Sequence, residues 1–329
     1  MKYRAFGRTE WLVSEIGFGA WGLGGDAYGR LEERVALRAV TRALECGINF
    51  FDTADLYGAG QSETILGRAL AKDREEVFLA TKVGTLPHRG FSMPQDFSAA
   101  HLEGALAASL KRLRMDYVDL LQLHSPDLSQ INLAEAVLVL ESLQRRGLVR
   151  AWGISARTPA DARRVVGLPG LASIQVNFNL IDHRALDDGL FDFAQAKGVA
   201  VIARTPLCFG YLTGQLKGTE RFEESDHRNN WPPEQLRRWA AAPQAFATLH
   251  GPTRTPTQLA LKFCLHPIAV STVIPGMMNV RQVEENAATP ALPELTAAEW
   301  AEIRQIYQLH TFYDPTIKQR ALSHTPAPA

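Results

Sequence analysis

The sequence predicts an α/β fold, a (β/α)8 barrel of the TIM type. Short β-rich runs alternate with amphipathic segments of helical periodicity, and each run ends in polar or turn-forming residues. A series of this kind either closes into a barrel or opens into a doubly wound sheet. We predict the barrel, because eight strands follow one another without a break in composition. The strand candidates are Glu15–Phe18, Asn49–Asp52, Val77–Lys82, Tyr117–His124, Val149–Ser155, Ser173–Val176, Val199–Arg204 and Ser271–Pro275.

The segments between the strands carry helix signals. Several end in glycine, as at Gly47, Gly147 and Gly198, where a helix C-cap and the turn into the next strand favour a positive φ angle. A Thr-Pro pair opens the last segment, since proline is favoured in the first helical turn. The helix candidates are Leu31–Cys46, Ser62–Ala71, Ser98–Leu113, Leu133–Arg146, Thr158–Val166, Leu186–Lys197 and Thr257–Leu265.

Residues 1–13 precede the βα series. Tyr3–Phe6 and Trp11–Val13 flank Gly7-Arg8-Thr9, which predicts a small β-hairpin. We expect this hairpin to close the N-terminal mouth of the barrel. The whole chain, 1–329, is then predicted to form one barrel domain.

Two connections are longer than usual and one tail follows the series. His88–Phe97 and Pro206–Pro256 each come after a strand, so both are expected over the C-terminal face. The tail Thr311–Ala329 has little apolar material to bury. We expect it to be loosely ordered or to fold across the same mouth.

Composition excludes several classes of protein. The chain is 46% hydrophobic and 21% charged, which supports a sizeable core and excludes bulk disorder. The 35 basic and 35 acidic residues cancel, so no net field would gather nucleic acid or anionic lipid, and no apolar run is long enough to span a membrane. The three cysteines are far apart and predict neither a zinc site nor a disulfide framework. With no signal-peptide core either, we expect a cytoplasmic protein.

A glycine pattern near the N-terminus has two interpretations. Gly17, Gly19 and Gly22 match the GxGxxG pattern of dinucleotide-binding Rossmann loops. No helix is expected before about Leu31, so no helix N-terminus would be available for a pyrophosphate. A glycine-rich active-site loop is the better interpretation, with Trp21 either as a wall of a pocket or as simple packing.

Four ionisable side chains end or follow three consecutive predicted strands. They are Asp52 and Tyr57 after the second strand, Lys82 at the end of the third and His124 at the end of the fourth. Taken singly, each has an ordinary structural explanation, such as a helix cap or a core histidine. The C-terminal ends of barrel strands converge on one mouth, however, and this joint placement favours a catalytic site.

These four side chains have complementary chemistry. Asp52 and Lys82 can neutralise each other, because an isolated buried charge costs several kcal/mol. A lysine ammonium near Tyr57 favours the phenolate, so we expect the pKa of Tyr57 to fall below about 10. Tyr57 would then act as a general acid, and His124 would donate to a carbonyl oxygen from the other side. The set predicts polarisation and protonation of a C=O group.

One segment resembles the signature of the aldo-keto reductase superfamily almost residue for residue: FFDTADLYGAGQSETILGRAL. The later ATK and LLQLH segments match in order and spacing, and the resemblance extends over nearly the whole chain. It implies that Asp52, Tyr57, Lys82 and His124 form the catalytic tetrad, with Tyr57 as proton donor. It also implies a nicotinamide cofactor lying across the barrel mouth, and hydride transfer to an aldehyde or ketone, or the reverse.

The resemblance also implies cofactor contacts in the second half of the chain. Ser155 and Gln175 would hold the carboxamide, while Ala156 replaces the usual asparagine. Arg204 stands where many members stack an aromatic ring on the nicotinamide, and Gln215 replaces the usual lysine of the pyrophosphate segment. The remaining implied cofactor residues are Ala20, Trp21, Asp52, Tyr57, Pro206, Leu207, Gly210, Leu212, Gly214, Gly276, Met278, Gln282, Glu285 and Asn286.

NADPH rather than NADH is the cofactor that the resemblance implies. The basic residue often found near Met278 is absent, and Arg281 lies one step from the position that another branch uses. The charge available to select a 2′-phosphate is therefore smaller than usual.

The substrate is expected to be a small carbonyl compound or alcohol, contacted by Trp21, Tyr57 and His124. Two other functions remain open. A regulatory subunit on the same fold, such as a channel β-subunit, would keep the nicotinamide site without needing catalysis. A metal-dependent barrel lyase or isomerase would need a carboxylate or histidine cluster with ligand spacing, and the sequence predicts no metal site. Four aromatic residues would either line the pocket or form a small core of their own loop: Phe91, Phe209, Tyr211 and Trp231.

Overall fold

The computed structural model describes residues 1–88 and 90–314 and contains the predicted barrel. Strands β3 to β10 form one parallel sheet in which neighbours follow chain order. Backbone bonds join its two edges, from Gly17 N–H to Val273 O (2.8 Å) and from Val273 N–H to Glu15 O (2.9 Å), so the sheet closes and is not doubly wound. The strands are β1 Tyr3–Ala5, β2 Leu12–Ser14, β3 Phe18–Gly19, β4 Phe50–Asp52, β5 Phe78–Val83, β6 Val118–His124, β7 Val149–Ser155, β8 Ser173–Asn177, β9 Ala200–Arg204 and β10 Val270–Val273.

Helices pack around the outside of the barrel. Helix α1 buries Ala36, Ala39, Val40 and Ala43, the spacing of one helical face, against the core. In the described ranges no helix is both long and apolar enough to cross a membrane. The helices are α1 Glu33–Glu45, α2 Gln61–Ala69, α3 Ala99–Leu113, α4 Leu133–Arg145, α5 Pro159–Val165, α6 Arg184–Asp187, α7 Leu190–Ala196, α8 Pro233–Ala245, α9 Pro256–Leu265, α10 Val280–Ala288 and α11 Ala297–Leu309.

The structure differs from the prediction in three places. The candidate Leu186–Lys197 is divided into α6 and α7, because Gly189 adopts a positive φ of 69°. The segment Pro206–Pro256, expected as a long connection, contains α8. Helices α10 and α11 follow the last strand, where the sequence analysis named none. A capping box from Thr296 to Glu299 begins α11 and was the available signal.

The hairpin of β1 and β2 closes the N-terminal mouth, as predicted. The Phe6 ring stacks on Trp11 at 5.4 Å and on Phe50 at 5.6 Å, and Trp11 stacks on Phe78 at 5.1 Å. Phe6 and Phe50 are fully buried. The barrel interior is therefore filled with aromatic side chains at this end, and a ligand can enter only from the opposite one.

Both long connections lie at that opposite, C-terminal face. The Phe91 ring from the first meets the Trp231 ring from the second at 4.9 Å. Gln235 in α8 donates to the carbonyl oxygen of Phe312 at 2.7 Å, which ties residues 311–314 to the same face. Residues 315–329 of the predicted tail lie outside the described part of the chain.

His183 generates a prediction about stability. The residue is fully buried, its Nε2 lies 3.0 Å from the carbonyl oxygen of Leu180, and Arg304 donates to its Nδ1 at 2.9 Å. Burial and the nearby Arg304 charge lower the pKa of His183 to about 3. Below about pH 6.5, His183 therefore binds a proton in the unfolded chain but not in the folded chain.

We expect stability to fall as the pH drops below about 6.5. Between pH 7.5 and pH 5 this residue should remove about 2 kcal/mol from the free energy of unfolding. Urea denaturation at both pH values measures the loss, and His183→Gln should have a smaller pH slope. An identical slope in the variant would contradict this assignment.

Candidate active site

The C-terminal mouth opens into a cavity of about 2130 Å³. Typical small-molecule sites occupy roughly 300–1,000 Å³, so this one has room for a ligand larger than a small carbonyl compound. Asp52, Tyr57 and His124 all line it. The strand ends therefore bring together side chains that lie 72 positions apart in the sequence, from residue 52 to residue 124.

A buried ion pair lies at the floor of the mouth. Lys82, with none of its surface exposed, donates from Nζ to Asp52 Oδ1 at 2.5 Å, to the carbonyl oxygen of Thr53 at 2.8 Å and to the Tyr57 hydroxyl at 3.1 Å. A lysine ammonium only donates, so the Tyr57 oxygen is the acceptor in the last of these bonds. The hydroxyl proton of Tyr57 is therefore left free for another partner.

Two glutamines complete the shell of Asp52. Gln122 and Gln175 donate to its Oδ2 at 3.1 and 2.7 Å, and Ser155 donates to Gln175 Oε1 at 3.3 Å. Strand register explains the arrangement, because Lys82 pairs with Gln122 across β5 and β6, and Ser155 pairs with Gln175 across β7 and β8. Gln122 was missed in the sequence. A fully buried amide within the apolar run DLLQLH was the available signal.

The pKa of Tyr57 differs from the expectation. Burial raises the pKa above its usual value, and the opposing charge of Lys82 does not overcome that effect. The expected fall was therefore wrong, because the sequence shows the lysine but not the desolvation. The pKa of Lys82 is also raised: burial lowers it, but attraction to Asp52 and Tyr57 outweighs burial. The tyrosine is thus protonated and the lysine charged at neutral pH.

His124 faces Tyr57 across the mouth. Their ring centroids are 5.8 Å apart and nearly perpendicular. Burial, with the charges of Lys82 and Arg204, holds the pKa of His124 well below its usual value, so the imidazole is neutral. The residue lines the cavity, and its Nδ1 is buried without a hydrogen-bond partner among the described residues.

A tight backbone contact holds Tyr57 in place. Asp26 accepts a hydrogen bond from Gly58 N–H at 3.0 Å, directly after the tyrosine. Gly58 has a φ of 59°, and a Cβ there would lie 2.2 Å from the carbonyl oxygen of Gly24. Only glycine fits this turn. The role of Asp26 was not predicted, because it depends on a contact between two distant loops.

The cavity includes most of the residues expected at the cofactor site. Gln175 and Arg204 form part of its wall, and Arg204 donates from Nη2 to the carbonyl oxygen of Ala156 at 3.0 Å. Ser155 and Leu212 are buried behind the wall and Gly214 is exposed outside it. The expected residues that line the cavity are Ala20, Trp21, Asp52, Tyr57, His124, Gln175, Arg204, Pro206, Leu207, Gly210, Gly276, Met278, Gln282, Glu285 and Asn286.

The family model for the aldo/keto reductase family matches residues 15–308. The chain belongs to the aldo/keto reductase family. It is 31% identical to the uncharacterized oxidoreductase YqkF of Bacillus subtilis over 316 residues, 94% of this chain and 99% of the other. It is 34% identical to L-galactose dehydrogenase of Arabidopsis thaliana over 299 residues, 88% of each chain.

A solved structure supports the same family and fold. The holo form of aldo-keto reductase AKR11C1 from Bacillus halodurans matches with a TM-score of 0.76 and 32% identity. The match covers 93% of this chain and 96% of that one. The (β/α)8 fold predicted from the sequence is therefore confirmed.

Aromatic side chains form the roof of the cavity at the C-terminal mouth. Trp21 packs against His227 at 4.7 Å, and Phe209 packs against His227 at 5.0 Å and Trp231 at 6.2 Å. The sequence left open whether Phe91, Phe209, Tyr211 and Trp231 line the pocket or form a small core, and both arrangements occur. Phe91, Phe209 and Trp231 line the cavity, whereas Tyr211 is fully buried in the core. His227 was not predicted.

The ion pair generates a prediction about stability. In Lys82→Met the Asp52 carboxylate stays buried without its cation, so we expect a loss of about 3–5 kcal/mol in the free energy of unfolding. Asp52→Asn combined with Lys82→Met should cost less than the sum of the single changes, because no lone charge is left.

Urea denaturation of the four proteins measures this coupling. The half-exposed pair Glu103–Arg146, at 2.7 Å, provides the control and should couple by less than about 1 kcal/mol. If the losses in the free energy of unfolding from the two single changes simply add in the double variant, Asp52 and Lys82 do not form a coupled ion pair.

Proposed function

We propose that this chain is an NADP(H)-dependent oxidoreductase that interconverts small aldehydes or ketones and the corresponding alcohols. Membership of the aldo/keto reductase family supports an oxidoreductase activity. The observation that carries the proposal is the free hydroxyl proton of Tyr57, which follows from the bond that its oxygen accepts from Lys82. The predicted cytoplasmic location stays a prediction.

In this proposal Tyr57 donates its proton to the carbonyl oxygen of the substrate. Lys82 stabilises the phenolate that remains, because its ammonium already lies 3.1 Å from the hydroxyl. Asp52 keeps the ammonium charged and oriented. His124 donates from Nε2 to the same carbonyl oxygen and, being neutral, adds no charge. In the reverse direction the phenolate takes the proton from an alcohol.

The residues that line the cavity fit a nicotinamide dinucleotide. Arg204 Nε is buried without a partner among the described residues, which suits a polar ligand. Gln175, Arg204, Pro206, Leu207 and Gly210 would hold the nicotinamide and pyrophosphate half, and Ser155 would act through Gln175. The adenosine half would meet Gly276, Met278, Gln282, Glu285 and Asn286. When bound, the cofactor supplies or accepts the hydride.

NADPH is preferred in this proposal on the basis of charge near α10. Arg281 lies in the first turn of that helix, lines the cavity and has no carboxylate within 4 Å in the described part of the chain. Glu285, one helical turn after Arg281, does not pair with it, and its carboxylate accepts a hydrogen bond from the Thr255 hydroxyl at 2.8 Å. A helix N-terminus also favours an anion. These features support binding of a 2′-phosphate.

The proposed substrate is a small carbonyl compound or alcohol in contact with Trp21, Tyr57 and His124. The similarity to L-galactose dehydrogenase supports a substrate that carries hydroxyl groups. A regulatory subunit that binds nicotinamide without catalysis is the alternative. Turnover of a carbonyl substrate, and its loss on removal of the Tyr57 hydroxyl, distinguishes the two.

Tyr57→Phe tests the catalytic proposal. The variant keeps the ring but loses the proton donor, so we expect kcat to fall by about 10²–10⁴. Steady-state reduction of a panel of aldehydes and ketones with NADPH measures the change. Fluorescence titration should show NADPH affinity within about twofold of the wild type. Undiminished turnover would remove Tyr57 from its proposed role, and no turnover by the wild type would favour the regulatory subunit.

Arg281→Ala tests the cofactor preference. Loss of a cation beside the 2′-phosphate should weaken NADPH binding by roughly fivefold, about 1 kcal/mol, and leave NADH binding unchanged. Titration of tryptophan fluorescence with each nucleotide measures both affinities, and NADH serves as the internal control. Equal weakening of the two nucleotides would contradict a contact with the 2′-phosphate.

A further inference from the structure

Arg204 is a cation at the cavity that forms no ion pair within the described part of the chain. It ends β9 and lines the cavity. Its Nη2 donates to Ala156 O, and its Nε is buried without a hydrogen-bond partner among the described residues. Within residues 1–88 and 90–314, no carboxylate lies within 4 Å of its guanidinium. Its side chain is partly buried, so water screens the charge only in part.

Other cations at the cavity are compensated or exposed. Lys82 is neutralised by Asp52. The guanidinium groups of Arg30 and Arg281 form no ion pair among the described residues, but both residues are exposed and therefore screened by solvent. Four further arginines that line the cavity each have a carboxylate: Arg112 with Glu63 (2.7 Å), Arg157 with Asp127 (3.3 Å), Arg184 with Asp182 (2.6 Å) and Arg228 with Asp226 (2.6 Å).

The charge of Arg204 reaches the catalytic side chains. After burial and Lys82, it is a further cause of the low pKa of His124. It also opposes the rise that burial produces in the pKa of Tyr57. Burial in turn lowers the pKa of Arg204 itself, without removing its charge at neutral pH. Any group that reacts beside Tyr57 and His124 therefore lies in the field of this guanidinium.

Hydride transfer changes the charge of the nicotinamide ring. The C4–H bond of the reduced ring breaks, its electron pair forms the new C–H bond of the substrate, and the neutral ring becomes a pyridinium cation. The substrate oxygen takes the proton of Tyr57. Because the ring would have to reach the carbon attached to that oxygen, it would lie near Tyr57 and within the field of Arg204. The phosphate charges are the same in both oxidation states.

We propose that Arg204 makes this site discriminate between the two oxidation states of the nicotinamide cofactor, which rests on the proposed function. Its uncompensated charge disfavours the oxidised ring and leaves the neutral reduced ring unaffected. Reduced cofactor therefore binds more tightly than oxidised cofactor. By thermodynamic linkage, the oxidised cofactor accepts a hydride more readily when bound than when free. Alcohol oxidation is therefore more favourable on the enzyme than in solution.

Binding without a carbonyl substrate tests the inference. The wild type and each variant are titrated separately with NADPH and NADP⁺, and tryptophan fluorescence gives two dissociation constants. We expect NADP⁺ to bind the wild type more weakly than NADPH. In Arg204→Gln, which removes the charge and keeps an amide N–H donor, the dissociation constant of NADP⁺ divided by that of NADPH should fall about tenfold. Arg204→Lys keeps the charge and should keep most of the ratio.

A matched control uses a compensated arginine of the same cavity. The double change Arg157→Gln with Asp127→Asn removes an ion pair whose two charges cancel, so the ratio should not change. Arg204→Met provides a second neutral variant, and a thermal melt confirms that each protein is folded before titration. A fall in the ratio with both neutral variants, restored by lysine, supports the proposal.

The other outcomes separate this inference from the proposed function. An unchanged ratio in Arg204→Gln, with both nucleotides still bound, would overturn the charge effect and leave the oxidoreductase proposal intact. Equal weakening of both nucleotides would also overturn it, since Arg204 would then hold a group common to the two forms. Failure of either nucleotide to bind the wild type would overturn the proposed function and this inference together.

Discussion

A lysine ammonium buried in the middle of a barrel imposes a constraint on every strand around it. Lys82 has no exposed surface, so its charge and its three donors must be satisfied by protein. Asp52, Thr53 O and the Tyr57 hydroxyl do this, and Asp52 is then satisfied by Gln122 and Gln175. The polar layer therefore extends across β4, β5, β6 and β8, and Ser155 adds β7. Its geometry is determined by the partners that one cation requires.

Backbone strain is concentrated on the same side of the barrel as this polar layer. Among non-glycine residues with positive φ, Ser125 follows His124, and Thr205, Cys208 and Phe209 follow Arg204. Such conformations cost on the order of 1–3 kcal/mol each and persist only where the surroundings enforce them. At the N-terminal end of the barrel, the stacked rings of the hairpin pack against rings of β4 and β5. The barrel thus combines a well-packed base with a strained mouth.

Local patterns in the sequence were sufficient to predict the barrel and the meeting of Asp52, Tyr57 and His124 at one mouth. The pairing of Lys82 with Asp52 was predictable as well, since the two residues end adjacent strands. Other features depend on tertiary contacts and could not be read locally. Asp26 reaches Gly58 only after two loops meet, and the pKa of Tyr57 rises because of burial that the motif does not reveal. The break between α6 and α7 lies at Gly189, which the sequence shows, but the helical periodicity on both sides favoured one continuous helix.

Burial shifts the pKa values of Tyr57 and His124 in opposite directions, with one chemical result. A raised pKa keeps the proton on the tyrosine, and a lowered pKa keeps the histidine neutral, so each side chain carries one N–H or O–H donor. Neither group adds charge before reaction, and Lys82 is balanced by Asp52. The electrostatic character of the mouth therefore depends strongly on Arg204, a partly buried cation without an ion-pair partner among the described residues. In the function that we propose, a single residue outside the group of Asp52, Tyr57, Lys82 and His124 can in this way set the charge that a reacting ligand experiences.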